Sequence, residues 1–125
     1  MFAEVAAAIQ GFLSLAPHWD GEAARPADET AVTTAMELLR SIDKIAPRWQ
    51  KRAQDPQVAP DPEGGVDLMY EAAGHWIMLS VRPGEANWVQ VTSQRVGEET
   101  KMRRTSLAEA TNEALALFEP LVVDG

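Results

Sequence analysis

The stretch that decides the fold is residues 66–81, VDLMYEAAGHWIMLSV. Its large apolar residues alternate with other residues on both sides of residues 73–74, and a period of two is typical of strands with one buried face. A two-residue turn at Ala73-Gly74 would place Leu68 opposite Leu79. The stretch therefore predicts an antiparallel β-hairpin.

The same alternation continues in WVQVT at residues 88–92. We expect residues 83–87 to form a five-residue loop, because this length places Val91 opposite Leu79 and a one-residue slip would move every side chain to the wrong face. A short strand around Val58 would lengthen the sheet to four strands. The predicted core face carries Val66, Leu68, Tyr70, Ile77, Leu79, Val81, Val89 and Val91.

Apolar residues at helical spacing predict two helices before the sheet and one after it. Their buried sides carry Phe2, Val5, Ile9, Phe12 and Leu13 in the first helix, Val32, Ala35, Met36, Leu39, Ile42 and Ala46 in the second, and Leu107, Ala110, Ala114, Leu115 and Phe118 in the third. Asp28 is the expected N-cap of the second helix, and Ser106 with Glu109 forms a capping box for the third. The order α-α-β-β-β-α predicts a single globular α+β domain over residues 1–125, with an antiparallel three- to four-stranded meander.

Composition excludes several kinds of protein. The 125 residues contain no cysteine, which excludes a disulfide framework, a thiolate zinc site and a cysteine nucleophile. The apolar N-terminus carries Glu4 and no preceding Lys or Arg, unlike a secretory leader. No run approaches the roughly 18 apolar residues that span a membrane. We expect a cytoplasmic protein with no membrane partner.

The net charge of −8 bears on the choice of partner. Phosphate binding depends on Lys and Arg, so an acidic chain repels nucleic acid. The basic clusters RWQKR (48–52) and KMRR (101–104) have the residue types of a phosphate-binding segment, but each is short and more typical of a solvated helix end. Unless the two clusters converge in space, we expect no direct nucleic-acid contact. Acidity is better suited to a basic protein partner.

The loop HWDGE, residues 18–22, is the strongest chemical candidate. His18, Asp20 and Glu22 would form a metal or acid–base site if the loop curled around an ion, but their spacing lacks the pattern of a calcium loop. A structural interpretation accounts for more residues, since Asp20-Gly21 is a turn dipeptide. His75 is a weaker candidate ligand or base. We therefore expect no catalytic residue, no metal and no cofactor.

The face opposite the predicted core is unusual for a solvated sheet surface. It carries Asp67, Met69, Glu71, Trp76, Met78, Ser80, Arg82, Trp88, Gln90 and Thr92. Trp and Arg are enriched at binding hot spots, and Met is suited to adaptable contacts. Two interpretations stay open: a helix or the segment 48–58 covers this face as a minor core, or the face binds a partner.

Two segments, WDGEAARP (19–26) and PQVAPDPEGGVDLMYE (56–71), resemble a group of uncharacterised small bacterial and phage proteins. That group has a W-D-G-x-G/A-A-x-P loop and a P-x-P-x-G-G segment that leads into a strand. This chain has Glu22-Ala23 where the group has an aromatic residue and a glycine. Because the shared residues are turns and anchors, the resemblance implies a fold and no activity.

Three functions remain. The first is a non-catalytic protein-binding module, such as an acidic inhibitor or antitoxin-like protein that blocks a basic, nucleic-acid-binding protein. Its contact residues would be Met69, Trp76, Met78, Trp88, Asp61, Glu63, Asp67 and Glu71. The second is a structural or assembly protein that forms a homodimer through the Trp76/Trp88 face. The third is a small metal-dependent enzyme that uses His18, Asp20 and Glu22.

Overall fold

The computed structural model describes residues 2–15, 19, 26–45, 56–72, 74–84 and 88–114. Helix α1 spans Phe2–Gly11 and continues as a 3-10 turn over Phe12–Ser14, and helix α2 spans Glu29–Ile45. The strands are β1 Gln57–Pro60, β2 Val66–Ala72, β3 His75–Val81, β4 Trp88–Arg95 and β5 Lys101–Ser106. Residues 107–114 form helix α3.

The strands form one antiparallel sheet in the order β1-β2-β3-β4-β5. Leu68 pairs with Leu79, and Leu79 pairs with Val91, so the predicted register of the three central strands is confirmed. The predicted α+β class and element order are also confirmed. The expected three to four strands were too few, because β5 forms where the sequence suggested only a basic cluster.

The core lies between the helices and one face of the sheet. All eight residues of the predicted core face are buried, and they share one cluster with residues from all three helices, including Ile9, Leu38 and Ala110. In α2 the described residues of the predicted stripe are buried as well. Residues 46, 115 and 118 of the predicted helix stripes lie outside the described residues.

Leu13 was predicted to face the core and is 38% exposed. Helix α1 ends at Gly11, and Leu13 lies in the following 3-10 turn. A 3-10 turn has three residues per turn instead of 3.6, so the buried stripe of α1 is not continued in phase. Of the two predicted core residues in this turn, Phe12 and Leu13, only Phe12 packs against the core.

Both predicted caps are present. The backbone N–H of Thr30 donates to Asp28 Oδ2 at 3.0 Å, which satisfies one of the free amides at the start of α2. The N–H of Glu109 donates to Ser106 Oγ at 3.2 Å at the start of α3. Strand β5 therefore ends on the residue that caps the next helix.

The two segments singled out by the resemblance meet in the structure. The N–H of Asp28 donates to the carbonyl of Gly64 at 2.7 Å, just after the first segment and within the second. Gly64 has φ +95°, and a Cβ there would contact Pro83 and the carbonyl of Pro26. At Gly65 a Cβ would lie 2.4 Å from the carbonyl oxygen of Val81. Gly64 therefore allows the turn before β2 to pack against the start of α2, and Gly65 allows it to pack against the end of β3.

Candidate functional site: the outer face of the sheet

One side of the sheet lies away from the core, and we name it the outer face. Paired residues of an antiparallel sheet share a face, so the register assigns its members. They are Gln57 and Ala59 on β1, Asp67, Met69 and Glu71 on β2, Trp76, Met78 and Ser80 on β3, Trp88, Gln90, Thr92 and Gln94 on β4, and Met102, Arg104 and Ser106 on β5. None of them belongs to the core cluster, to which every described helix contributes.

Between β2 and β5 the pairing arranges these side chains in rows of four, and β1 extends two of the rows by Ala59 beside Asp67 and by Gln57 beside Met69. The polar row is Asp67, Ser80, Gln90 and Arg104, and the methionine row is Met69, Met78, Thr92 and Met102. In the next row, on the far side of the methionine row from the polar row, Trp76 lies between Glu71 and Gln94. The rows place an acid on β2, a base on β5 and mainly apolar or neutral side chains between them.

Large apolar groups on this face are accessible. Trp88 is 50% exposed and Met102 is 65% exposed. Met69, Trp76 and Met78 are half-buried. Between them Thr92 is 7% exposed and Ser80 is 3% exposed, so the accessible apolar surface has one part on β2 and β3 and a second part at Trp88 and Met102. Exposed large apolar groups that share one face are typical of an interaction surface.

Hydrogen bonds fix Trp76 on this face. Its indole Nε1–H donates to Gln94 Oε1 at 3.2 Å, and the amide of Gln94 in turn donates to the carbonyl of Glu98 at 3.1 Å. The ring therefore has its polar atom satisfied within the chain, which leaves its apolar surface for contact.

Charged groups on the outer face interact locally. Burial raises the pKa of Asp67; the hydroxyl of Ser80, which hydrogen-bonds its carboxylate, opposes this shift. The carboxylate of Asp61 raises it further, and Arg82 lowers it. On the other side of the face, the guanidinium of Arg104 lies 5.4 Å from the centroid of the Trp88 ring, a cation–π contact.

The eight predicted contact residues divide into two groups. Six lie on the outer face, namely Met69, Trp76, Met78, Trp88, Asp67 and Glu71. Asp61 and Glu63 lie in the turn between β1 and β2 instead. Asp61 Oδ2 accepts a hydrogen bond from Arg82 at 2.9 Å, and Asp61 Oδ1 accepts one from the N–H of Glu63 at 2.7 Å. Asp61 therefore stabilises this turn.

Six residues of the outer face were missed. Gln57 and Ala59 lie on β1, and Ser106 lies opposite Trp88 at the end of β5. Gln94 lies beyond the predicted end of the third strand, and Met102 and Arg104 lie on the unpredicted β5. Strand β5 has no alternating apolar residues, because its core-side register position is held by Arg103, whose side chain is 54% exposed and pairs with Glu113 of α3. A sequence signal existed in the charged residues, since natural edge strands often carry Lys and Arg.

A cleft of about 230 Å³ lies near the β4–β5 turn, lined by His75, Ile77, Ser93, Gln94, Arg95, Glu98, Glu99, Lys101 and Glu113. Burial lowers the pKa of His75, with Arg95 acting in the same direction and Glu98 opposing it. The imidazole is therefore neutral at neutral pH. The cleft combines side chains of both signs and does not define a ligand class.

Other candidates are only partly described. His18, Asp20 and Glu22 lie outside the described residues, as does the basic cluster at residues 48–52, so its convergence with residues 101–104 stays a prediction. Within the described ranges, no group of three or more His, Asp or Glu side chains is placed to bind a metal ion. No described helix is long and apolar enough to cross a membrane.

No protein-family model matches the chain, and no curated protein or solved structure is significantly similar to it. The resemblance to small bacterial and phage proteins therefore stays a prediction. A function has to be argued from the outer face itself.

Proposed function

We propose that the chain is a non-catalytic protein-binding module and that the outer face is its contact surface. The observation that carries the proposal is the exposure of Trp88 and Met102 on a sheet face that also bears Trp76, Met69 and Met78. An exposed Trp buries a large apolar area when it contacts a partner. Only two of its side-chain torsions become fixed, so the loss of conformational entropy is small.

An acidic inhibitor of a basic, nucleic-acid-binding protein is a more specific version of this proposal. Its carboxylates at residues 61, 63, 67 and 71 would imitate phosphates. Asp61 is paired with Arg82, and Asp67 has a raised pKa. Arg104 adds a positive charge to the same face. The geometry therefore supports contact through the outer face more strongly than it supports phosphate imitation.

The proposal is tested by asking whether the outer face binds protein at all. Wild type, a Trp88→Ala/Met102→Ala variant and a Val96→Ala control are immobilised and exposed to a lysate of the source cells, to which labelled free chain is added. Val96 is 81% exposed but lies in the β4–β5 turn, so it controls for the loss of exposed apolar surface.

We expect wild type and the Val96 variant to capture the same protein, whether it comes from the lysate or is the free chain. The double variant should retain its circular dichroism spectrum and bind at least about tenfold more weakly, as the loss of a hot spot implies. Capture that is equal in all three, or absent from wild type, would refute the proposal.

A further inference from the structure

Between β2 and β5, the two long rows of the outer face are complementary to their own reversal, and the β1 members Ala59 and Gln57 lie outside this overlap. Read from β2 to β5, the polar row is Asp67, Ser80, Gln90 and Arg104, and the methionine row is Met69, Met78, Thr92 and Met102. Reversing the polar row brings the acid opposite the base and the hydroxyl opposite the amide. Reversing the methionine row brings the two outer methionines together.

A two-fold axis generates this reversal. In an isologous contact, residue i of one copy meets residue j of the other, and j meets i. An axis parallel to the strands, in the plane of contact and midway between β3 and β4, places β2 over β5 of the second copy and β3 over β4. Each row then lies over the same row of the second copy in reverse order.

We propose that the outer face binds a second copy of this chain in this two-fold, face-to-face arrangement. The inference rests on the proposed function of the outer face as a protein-binding surface and names its occupant. Asp67 of each copy lies opposite Arg104 of the other. Ser80 is 3% exposed and hydrogen-bonds Asp67 of its own chain, so it orients Asp67 and does not itself contact the second copy. Met69 lies opposite Met102 at the two outer positions of the methionine row.

The geometry of packed sheets permits these contacts. Two sheets pack about 10 Å apart with their strands roughly 30° from parallel. Strands β2 and β5 lie about 7 Å from the axis, so this rotation displaces facing positions by about 4 Å. The length of an Arg or Met side chain spans such a displacement. The contacts nearest the axis, between β3 and β4, are displaced least.

The charges of the outer face favour a second copy, although the net charge of the chain opposes it. The chain carries a net charge of −8, so two copies repel each other overall. On the outer face, however, the acid of β2 and the base of β5 form two ion pairs across the axis, which offset this repulsion where the copies meet. Four short strands give a face of about 20 Å by 20 Å, which buries roughly 800 Å² over two copies and is smaller than a standard stable interface. We therefore expect a weak dimer, with a dissociation constant no tighter than about 1 μM.

Charge exchange at the proposed ion pair tests the arrangement. The Asp67→Arg variant places two cations together in its homodimer, and the Arg104→Asp variant places two anions together. Each should weaken dimerisation by at least about tenfold. Mixing the two variants restores both ion pairs, so the mixed dimer should form with nearly wild-type affinity. Sedimentation equilibrium measures all four dissociation constants. Glu37→Arg, which makes the same charge change as Asp67→Arg at an exposed position of α2, should dimerise like wild type.

A cross-linking measurement tests the register if Asp67→Arg fails to fold. The chain contains no cysteine, so each introduced thiol is unique. A short bismaleimide should join Met69→Cys to Met102→Cys in a mixture and should give far less product with Met102→Cys alone.

The outcomes separate this inference from the proposed function. A wild type that is monomeric up to about 1 mM, a concentration far above micromolar dissociation constants, would overturn the dimer. So would a charge-exchanged mixture that does not re-form, or equal cross-linking in both samples. If a lysate protein is nevertheless captured through Trp88 and Met102, the binding function stands with another occupant. If wild type neither dimerises nor captures any protein, both are refuted.

Discussion

At the scale of single residues, the half-buried carboxyl group of Asp67 makes stability depend on pH. Burial raises the pKa of this carboxyl group above its ordinary value of 3.8. The folded chain therefore binds the carboxyl proton more tightly than the unfolded chain does. The stabilisation of the protonated form is complete below about pH 3.8 and is lost as the pH rises through the folded pKa. At neutral pH the ionised group therefore lowers the free energy of unfolding.

Asp67→Asn should remove this penalty and still accept the hydrogen bond from Ser80. We expect the variant to be more stable than wild type at pH 7 and equally stable below pH 3.8, the ordinary pKa of the group. Urea denaturation at high dilution, where a dimer is dissociated, measures the difference at both pH values. Glu71→Gln, at an exposed position four residues along β2, is the matched control and should show a smaller pH-dependent difference. A variant that is less stable by the same amount at both pH values would contradict the assignment.

At the scale of elements, the two carboxylates in the turn between β1 and β2 differ in burial and in hydrogen bonding. Asp61 is 17% exposed and accepts hydrogen bonds from Arg82 and from the backbone of Glu63. Glu63 is 83% exposed and lies 4.0 Å from Arg82. Asp61→Ala should lower the free energy of unfolding by about 1–2 kcal/mol, because it removes two hydrogen bonds.

Glu63→Ala makes the same charge change two residues away and should change the free energy of unfolding by less than about 0.5 kcal/mol. Chemical denaturation of both variants gives the comparison. Equal losses would mean that the negative charge of the turn, and not the geometry around Asp61, is what stabilises it.

The sequence predicted the elements whose pattern is strict. Val66, Leu68 and Tyr70 alternate without exception, and shifting them by one residue would expose them all, so the hairpin register could be derived. Strand β5 could not be derived, because its outer residue Met102 is exposed and its inner residue Arg103 pairs with Glu113. An edge strand with charge on both faces lacks a hydrophobic period.

At the scale of the whole molecule, the sequence predicted the β2 and β3 part of the outer face but not its charge polarity. Asp67 and Trp76 could be placed on one face from alternation alone. Arg104 depends on the pairing of β4 with β5, which involves residues far apart in sequence. The symmetry of the polar row is therefore visible only in the assembled sheet.

The central claim is that the outer face is open in the free chain and covered when it binds. Methionines report on both sides of the sheet: Met69, Met78 and Met102 lie on the outer face, and Met36 is buried in the core. The most direct measurement is the relaxation of their labelled methyl groups by a soluble paramagnetic probe, at high dilution and at high concentration. Met→Leu variants assign the signals.

At high dilution we predict that the probe relaxes the three outer-face methyl groups and leaves Met36 unaffected. At high concentration Met69, Met78 and Met102 should become protected together, because a second copy covers them. Protection of Met69 and Met78 already at high dilution would contradict the account, since it would mean that the chain itself covers the outer face as a minor core.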